Sequence, residues 1–327
     1  MTTDVGKTAV VSIRQLLSTL IDASCRGCHV IRAIQSHESS KELSVHIKME
    51  GDKSSPVTIA DVKAQHVIVA TIRNFWGEEL RIVGEEDNTD LSITLDDSSA
   101  IIDRPLRPDL DVTFHRENFD NSSPSSSDVL SAPISELTVY IDPLDGTREF
   151  IEGRLQNVTC LIGVSHNSRP LCGVVSYPFP AGTSTGSGIT RVIYGYVPLG
   201  HGDVMITPSG TLTPVSGIPA PPGAEKEEEP HLKYAVGDSR PKVMAQLCSL
   251  FRSLYPSSRQ YQMGACGNKI ISVARGDMHL SFMKNNNCSW DTAAPSAVLE
   301  SCGGKITDWF GEALVYSKES GNMRNTR

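Results

Sequence analysis

Leu137-Thr138-Val139-Tyr140-Ile141-Asp142-Pro143-Leu144-Asp145-Gly146-Thr147 is the stretch on which the reading of this chain turns. Leu137, Val139 and Ile141 alternate as in a strand, and the strand delivers Asp142 at its end. Asp142 and Asp145 then flank a tight Pro-Leu turn, so that two carboxylates and the Leu144 carbonyl between them can point at one spot. Gly146 lets the backbone approach a ligand closely. Thr147-Arg148-Glu149-Phe150 has the pattern of a helix start, whose free N–H groups favour a phosphate.

Acids stand at the same kind of junction elsewhere. Leu80 to Val83 is a short strand that ends in Gly84-Glu85-Glu86. Asp291 falls in the first turn of a helix beginning near Trp290, where a carboxylate suits the macrodipole. Asp61 completes a capping-box pattern, Thr58-Ile59-Ala60-Asp61, at the start of a helix that follows Pro56. Taken singly these have ordinary explanations: paired glutamates on a loop are usually solvated, and a first-turn aspartate is usually a cap. Their joint occurrence at strand ends and helix starts carries more. Two like charges about 4 Å apart cost roughly 4 kcal/mol at an effective dielectric near 20. A fold that gathers carboxylates needs cations, and oxygen-only donors suit Mg²⁺, Mn²⁺ or Ca²⁺. A magnesium-dependent phosphatase is therefore expected.

Outward from these sites, residues 9–34 carry apolar side chains at helical spacing, with Cys25 and Cys28 three apart on one face as core thiols. Residues 87–135, rich in Asp and Ser, are expected to be a surface insertion. Val158–Val164 and Leu171–Val175 form a predicted hairpin across His166-Asn167-Ser168-Arg169. Strands follow at Val192–Val197 and Val204–Thr207, then an exposed loop from Pro219 to Pro230. A strand (Leu232–Val236), a helix (Pro241–Tyr255), a helix beginning near Gly267 and a strand (His279–Met283) come before the Trp290 helix. This order predicts a layered α/β arrangement of two subdomains, residues 1–200 with most of the candidate ligands and 201–327 with Asp291. Ligands in such folds favour strand ends.

The chain of 327 residues has 39% hydrophobic and 21% charged residues, which is ordinary for a globular protein with ample core. Its net charge of −8 argues against a broad nucleic-acid surface. A small phosphorylated substrate stays open, because bound metal reverses the sign of a local site. No apolar run approaches the ~18–20 residues of a membrane span, and no signal pattern opens the chain. With 8 cysteines and no zinc-type spacing, a reducing, cytoplasmic setting without a membrane partner is expected.

Gly84-Glu85-Glu86, Asp142-Pro143-Leu144-Asp145-Gly146-Thr147 and Trp290-Asp291 together resemble the three-part signature of the lithium-sensitive, magnesium-dependent phosphatase superfamily that includes inositol monophosphatases. Asp142 through Gly163, Ala60-Asp61-Val62-Lys63-Ala64-Gln65, Gly267-Asn268-Lys269-Ile270-Ile271 and Trp290-Asp291-Thr292-Ala293-Ala294-Pro295 resemble its 3'(2'),5'-bisphosphate nucleotidases. The resemblance implies alternating helix and sheet layers, an αβαβα sandwich. It implies that Glu85, Asp142 and the Leu144 carbonyl hold one Mg²⁺, and that Asp142, Asp145 and Asp291 hold a second. Asp61 and Glu85 would lie near a third, weaker ion. Thr147, paired with Asp61, would orient and deprotonate the attacking water, with the phosphate at Gly146 and Thr147. Lys269, Gly264 and Ala265 match residues at the nucleotide end. Where the family has Thr-Arg-Ser-His, this chain reads Gly237-Asp238-Ser239-Arg240, so Ser239 or Arg240 is expected in place of the histidine. Mn²⁺ as a substitute and inhibition by Li⁺ and Ca²⁺ follow from the same resemblance. Members usually carry another strand and helix after a segment like Gly321-Asn322, so a truncated or remodelled last element is expected.

Three rivals share parts of this pattern. Inositol polyphosphate 1-phosphatases and inositol monophosphatases have the same metal ligands and differ at the substrate end. Aspartyl-phosphate hydrolases use D-x-D-x-T, but here the acids are three apart rather than two. A phospho-ligand sensor would need the metal ligands without the Asp61 and Thr147 pair. On the nucleotidase reading, Asp145→Asn or Asp291→Asn is expected to abolish turnover and leave the fold intact.

Overall fold

The computed structural model describes residues 9–37, 46–47, 56–86, 107, 109–110, 112–115, 131–215, 231–238, 241–284 and 287–316. The Ser-rich run at 122–127, the loop expected at 219–230, Ser239, Arg240 and the Gly321-Asn322 segment lie outside them.

The elements in chain order are β1 (Val10–Ser12), α1 (Ile13–His37), β2 (His46–Ile47), β3 (Pro56–Val57), α2 (Ile59–Trp76), β4 (Arg81–Gly84), β5 (Ser131–Pro133) and β6 (Leu137–Asp145). Then come α3 (Thr147–Ile151), β7 (Thr159–His166), β8 (Arg169–Tyr177), β9 (Thr190–Tyr196), β10 (Gly200–Ile206) and β11 (Leu212–Pro214). The last are β12 (Lys233–Val236), α4 (Lys242–Leu254), β13 (Arg259–Gln262), α5 (Cys266–Ala274), β14 (Leu280–Phe282) and α6 (Ser289–Ser301). The first helix thus starts four residues after the beginning of its predicted pattern, because Val10–Ser12 pairs with Ser131–Pro133 instead.

Seven strands form the main sheet in the order β11-β10-β9-β8-β7-β6-β4. Successive side chains on a strand face opposite ways, and the two faces separate cleanly. Val139 and Ile141, Cys160 and Ile162, and Cys172 and Val174 pack with Leu17, Leu20 and Ile68 of α1 and α2. Leu161 and Val175 pack with Ile270 of α5 and Val298 of α6 on the other side. A second sheet, β13-β12-β14, is parallel. Its Tyr234, Val236 and Phe282 meet Met244 and Cys248 of α4, while Ala235, also buried, alternates to the opposite face. The layers therefore run helix, sheet, helix, sheet, helix, as expected.

Glycines decide how closely α6 lies on the main sheet. Gly163 pairs with Gly173, and Gly173 pairs with Gly195, so three adjacent strands offer one bare lane. A Cβ at Gly163 would fall 2.4 Å from the Ala294 nitrogen, and one at Gly173 would fall 2.3 Å from the Ala294 oxygen. Gly in a strand interior is a cost unless another backbone needs the space, and here the helix backbone fills it. The N-terminus of α6, with Asp291, is fixed by that contact.

The stretch 87–135 is not surface throughout. Leu110 and Val112 are buried in the core, and α1 holds them through Ser18 to the Leu110 carbonyl at 3.2 Å and Arg14 to the Val112 carbonyl at 2.8 Å. Its polar composition masked these two apolar residues. Cys25 and Cys28 are buried free thiols, as expected.

Candidate active site

β4 and β6 are parallel neighbours, with Gly84 opposite Ile141. Strands that run the same way end at the same edge, so Glu85 and Asp142 emerge side by side. The Glu85 amide donates to the Ile141 carbonyl at 2.9 Å. Gln65 of α2 holds the next residue from both sides, Nε2 to the Glu86 carbonyl at 2.7 Å and the Glu86 amide to Oε1 at 3.0 Å. A Cβ at Gly84 would lie 2.5 Å from the Gln65 Oε1, so only glycine admits that brace.

The predicted Pro-Leu turn is instead a bulge inside β6. Asp142 faces Leu161 and Asp145 faces Thr159 across the ladder, so one strand spends three steps where its partner spends two. In a regular strand, residues three apart point to opposite faces. The extra residue brings both carboxylates to one side. It also sets Thr159 opposite Asp145, and the Thr159 hydroxyl donates to Asp145 Oδ2 at 2.7 Å.

Asp61 sits third in α2 and caps it, taking the Thr58 amide at 2.7 Å and the Thr58 hydroxyl at 2.6 Å on Oδ2. Its other oxygen, Oδ1, accepts the Thr147 hydroxyl at 3.0 Å. That hydroxyl also lies 3.3 Å from the Leu144 carbonyl. Gly146 precedes Thr147 at φ 91°, a left-handed conformation that favours glycine. α3 is only one turn long, so the helix start predicted there is short.

Asp291 occupies the third position of α6 and takes the Cys288 amide at 2.5 Å. Asp145 takes the Cys266 and Gly267 amides at 2.8 and 2.7 Å, at the first turn of α5. Burial raises the pKa of all four aspartates. Asp61 is pushed up to about 6 by burial, with Glu85 adding to it. Asp291 is pushed up to about 7 by burial and then by Glu85. Asp142 rises well above the ordinary range through burial and the charges of Glu85, Asp145 and Asp291. Asp145 rises less, because its amide and hydroxyl donors and Lys269 oppose the burial.

Glu85, Asp142, Asp145 and Asp291 feel one another's charge. Among the described residues, no group of three or more His, Cys, Asp or Glu side chains already closes around one point. Both oxygens of Asp145 and Oδ2 of Asp291 are turned to protein donors. The donor set is nevertheless all oxygen, crowded and short of positive charge, which fits a hard divalent cation such as Mg²⁺.

The nucleotide-end candidates adjoin this cluster through α5. Ala265 precedes the helix at φ 61°, unusual for a residue with a Cβ. A Cβ at Gly146 would touch the Ala265 Cβ at 3.0 Å. Lys269 is buried rather than a surface lysine, and its Nζ donates to the Ala265 carbonyl at 2.5 Å. Gly264 lies over Glu149. Ser239 and Arg240 fall outside the described residues. Thr159, Gln65 and Glu149 were not singled out from sequence. Thr159 was findable only by counting the bulge, and Gln65 only by pairing α2 with the end of β4.

A family model for the inositol monophosphatase family matches residues 16–327. The chain belongs to that family, whose members are metal-dependent phosphatases. Mouse 3'(2'),5'-bisphosphate nucleotidase 1 is 31% identical over 194 residues, 58% of this chain and 56% of the relative's length. The human protein of the same name is 29% identical over 272 residues, 82% of this chain and 76% of its own. Among solved structures, CysQ from Bacteroides thetaiotaomicron, described as a bacterial member of the inositol monophosphatase family, superposes with a TM-score of 0.60 at 19% identity. That match covers 94% of each chain and speaks for the fold. No helix among the described residues is long and apolar enough to cross a membrane.

Proposed function

We propose that this chain is a magnesium-dependent phosphomonoesterase that removes the 3'-phosphate from 3'-phosphoadenosine 5'-phosphate, giving AMP and inorganic phosphate. The observation that carries the reading is the Thr147 hydroxyl on Asp61 at the edge of an all-oxygen acidic cluster. The nucleotidase relatives direct it to a nucleotide. Glu85, Asp142 and the Leu144 carbonyl are the donors assigned to one ion, Asp142, Asp145 and Asp291 to a second, and Asp61 with Glu85 to the edge of a third, weaker site.

Bound magnesium supplies the positive charge that offsets the acids' repulsion and stabilises charge developing on the phosphoryl oxygens. The chain's own residues hold the proton path. Thr147 donates its proton to Asp61 Oδ1, so its oxygen is left to accept one from a water. Asp61, with a pKa raised to about 6, is a stronger base than an exposed aspartate, and Thr58 fixes its orientation through Oδ2. Gly146 and Thr147 are the residues proposed for the phosphate, and Lys269, Gly264 and Ala265 those proposed for the nucleoside, with Ser239 or Arg240 kept as the candidate that replaces the family histidine. Mn²⁺ is expected to substitute, and Li⁺ and Ca²⁺ to inhibit. All eight cysteines are free thiols, and a reducing compartment such as the cytoplasm is the setting proposed.

A phosphate-release panel in Mg²⁺ tests the assignment, with the bisphosphate nucleotide against inositol 1-phosphate, inositol 1,4-bisphosphate and fructose 1,6-bisphosphate. Preference for the nucleotide is expected. Preference for either inositol substrate would overturn it, and nucleotide binding without phosphate release would make the protein a sensor.

A further inference from the structure

Glu149 is a buried carboxylate that the chemistry above does not use. It follows Thr147 by two residues in α3 and is 2% exposed. Arg154 clasps it with Nε to Oε2 at 2.8 Å and Nη2 to Oε1 at 2.6 Å, a two-point geometry that fixes both groups. Asn157 adds a third bond, Nδ2 to Oε2 at 2.7 Å. These donors hold the pKa of Glu149 below the ordinary range, chiefly through Arg154. Arg154 also pairs with Glu152 and lies 3.9 Å from Asp238. With so many carboxylates around it, its guanidinium is a brace for the protein rather than a receptor for a phosphate.

The other side of Glu149 is the wall. A Cβ at Gly264 would fall 2.1 Å from the Glu149 carboxyl carbon. The backbone at 264 therefore rests directly on this side chain. The brace extends into α5, where Asn268 Nδ2 reaches Asn157 Oδ1 at 3.4 Å and Asn268 Oδ1 accepts the Tyr177 hydroxyl at 3.3 Å. The segment 264–269 thus meets the cluster at two points. Asp145 ties it at the Cys266 and Gly267 amides, and Glu149 supports it from below at Gly264.

We propose that Glu149 is a positioning residue, the spacer that sets the distance between the acidic cluster and the Gly264–Lys269 wall and so the fit of the group beyond the phosphate. The proposal rests on the reading that this wall holds the substrate's far end. It places Glu149 in binding and not in the chemical step.

The test is steady-state phosphate release in Mg²⁺ by wild type, Glu149→Gln, Glu149→Ala, Arg154→Lys, Gly264→Ala and the double variant Glu149→Ala/Gly264→Ala. Each is assayed on the bisphosphate nucleotide and on p-nitrophenyl phosphate, which has no nucleoside end, with circular dichroism as a check on folding. Glu149→Gln is expected to raise KM for the nucleotide about tenfold while kcat changes less than about twofold, the signature of lost uniform binding. Its p-nitrophenyl phosphate kinetics stay at the wild-type level. Gly264→Ala raises KM likewise. The double variant, which removes the atoms the new methyl meets, is less impaired than the product of its single effects. Equal loss of kcat on both substrates, unchanged KM, or multiplicative effects in the double variant would overturn the proposal. If Glu149→Gln fails to fold, Arg154→Lys is judged by the same criterion. If wild type prefers an inositol phosphate, the nucleotide assignment fails by itself, and the KM shift is then read on that substrate.

Discussion

The Thr147 hydroxyl stands 3.0 Å from Asp61 Oδ1, although the two are 86 positions apart in the chain. One is at the start of a one-turn helix after a bulged strand, the other in the first turn of α2. Asp61 already satisfies its helix through Oδ2, so the bond to Thr147 is not needed for capping. On the proposed reading, a hydroxyl on a buried, raised-pKa carboxylate that feels the charge of Glu85 would serve as a general-base arrangement.

Removing it should therefore cost rate before it costs metal. Thr147→Ala and Asp61→Ala are each expected to lower kcat by about 10²–10⁴-fold, with Mg²⁺ affinity by calorimetry changed far less. Thr147→Ser, which keeps the hydroxyl, should retain most activity. Wild-type kcat in both alanine variants would remove the pair from the mechanism.

The raised pKa values make stability depend on pH in a definite direction. A group whose pKa is higher folded than unfolded stabilises the fold when protonated. That stabilisation is complete below the unfolded value, near 3.8 for an aspartate, and is lost as pH rises through the folded value, about 6 for Asp61 and about 7 for Asp291. For Asp61 alone the difference is on the order of 3 kcal/mol. In chelator, the melting temperature is expected to fall between pH 5 and pH 8, and Mg²⁺ at pH 8 should restore it. Asp61→Asn should flatten the profile in chelator. A melting temperature indifferent to both pH and Mg²⁺ would mean that these carboxylates are not under mutual stress.

Much of this was legible in the sequence because strand ends and helix caps leave local signals. Leu137, Val139 and Ile141 gave β6 by alternation, and Thr58 with Asp61 gave the start of α2 as a capping box. The acids were found because they sit at those signals. What escaped was set by pairing across the chain. The bulge depends on the register of β6 against Thr159, which no local pattern encodes. The glycine lane exists only because Gly163, Gly173 and Gly195 are ladder partners. Glu149 looked like any charged residue in a helix start, and its burial comes from a loop more than 100 residues later. Leu110 and Val112 were hidden by the polar stretch around them.

Asp145 shows where the geometry amends a sequence expectation. Asparagine there was expected to stop turnover and spare the fold. A carboxylate offers about four acceptor positions, and protein donors take three of them at Asp145, from Thr159, Cys266 and Gly267. Asparagine would set an NH₂ against one of those donors. Asp145→Asn is expected to lose activity and also about 1–3 kcal/mol of stability in urea unfolding. Asp291→Asn retains its carbonyl oxygen for the single Cys288 amide and should lose activity with less effect on stability. Equal stability of the two variants would refute the view of Asp145 as a structural tie.

The glycine lane yields the sharpest separation of structure from chemistry. Gly173 makes no contact with the acidic cluster, yet a methyl on it would meet the Ala294 backbone at 2.3 Å. Backbone cannot swing aside as a flexible side chain can, so α6 must lift. Overpacking of this kind costs about 1–3 kcal/mol, and the lift would carry Asp291 away from Glu85 and Asp142. Gly173→Ala is therefore expected to lower the urea midpoint and raise the Mg²⁺ concentration for half-maximal activity, though it removes no donor. Gly186 provides the control, since a Cβ there meets nothing within 4 Å. Gly186→Ala should change stability by less than about 0.5 kcal/mol and leave the Mg²⁺ dependence alone. If both variants behave alike, the close seat of α6 on the sheet does not set the position of Asp291.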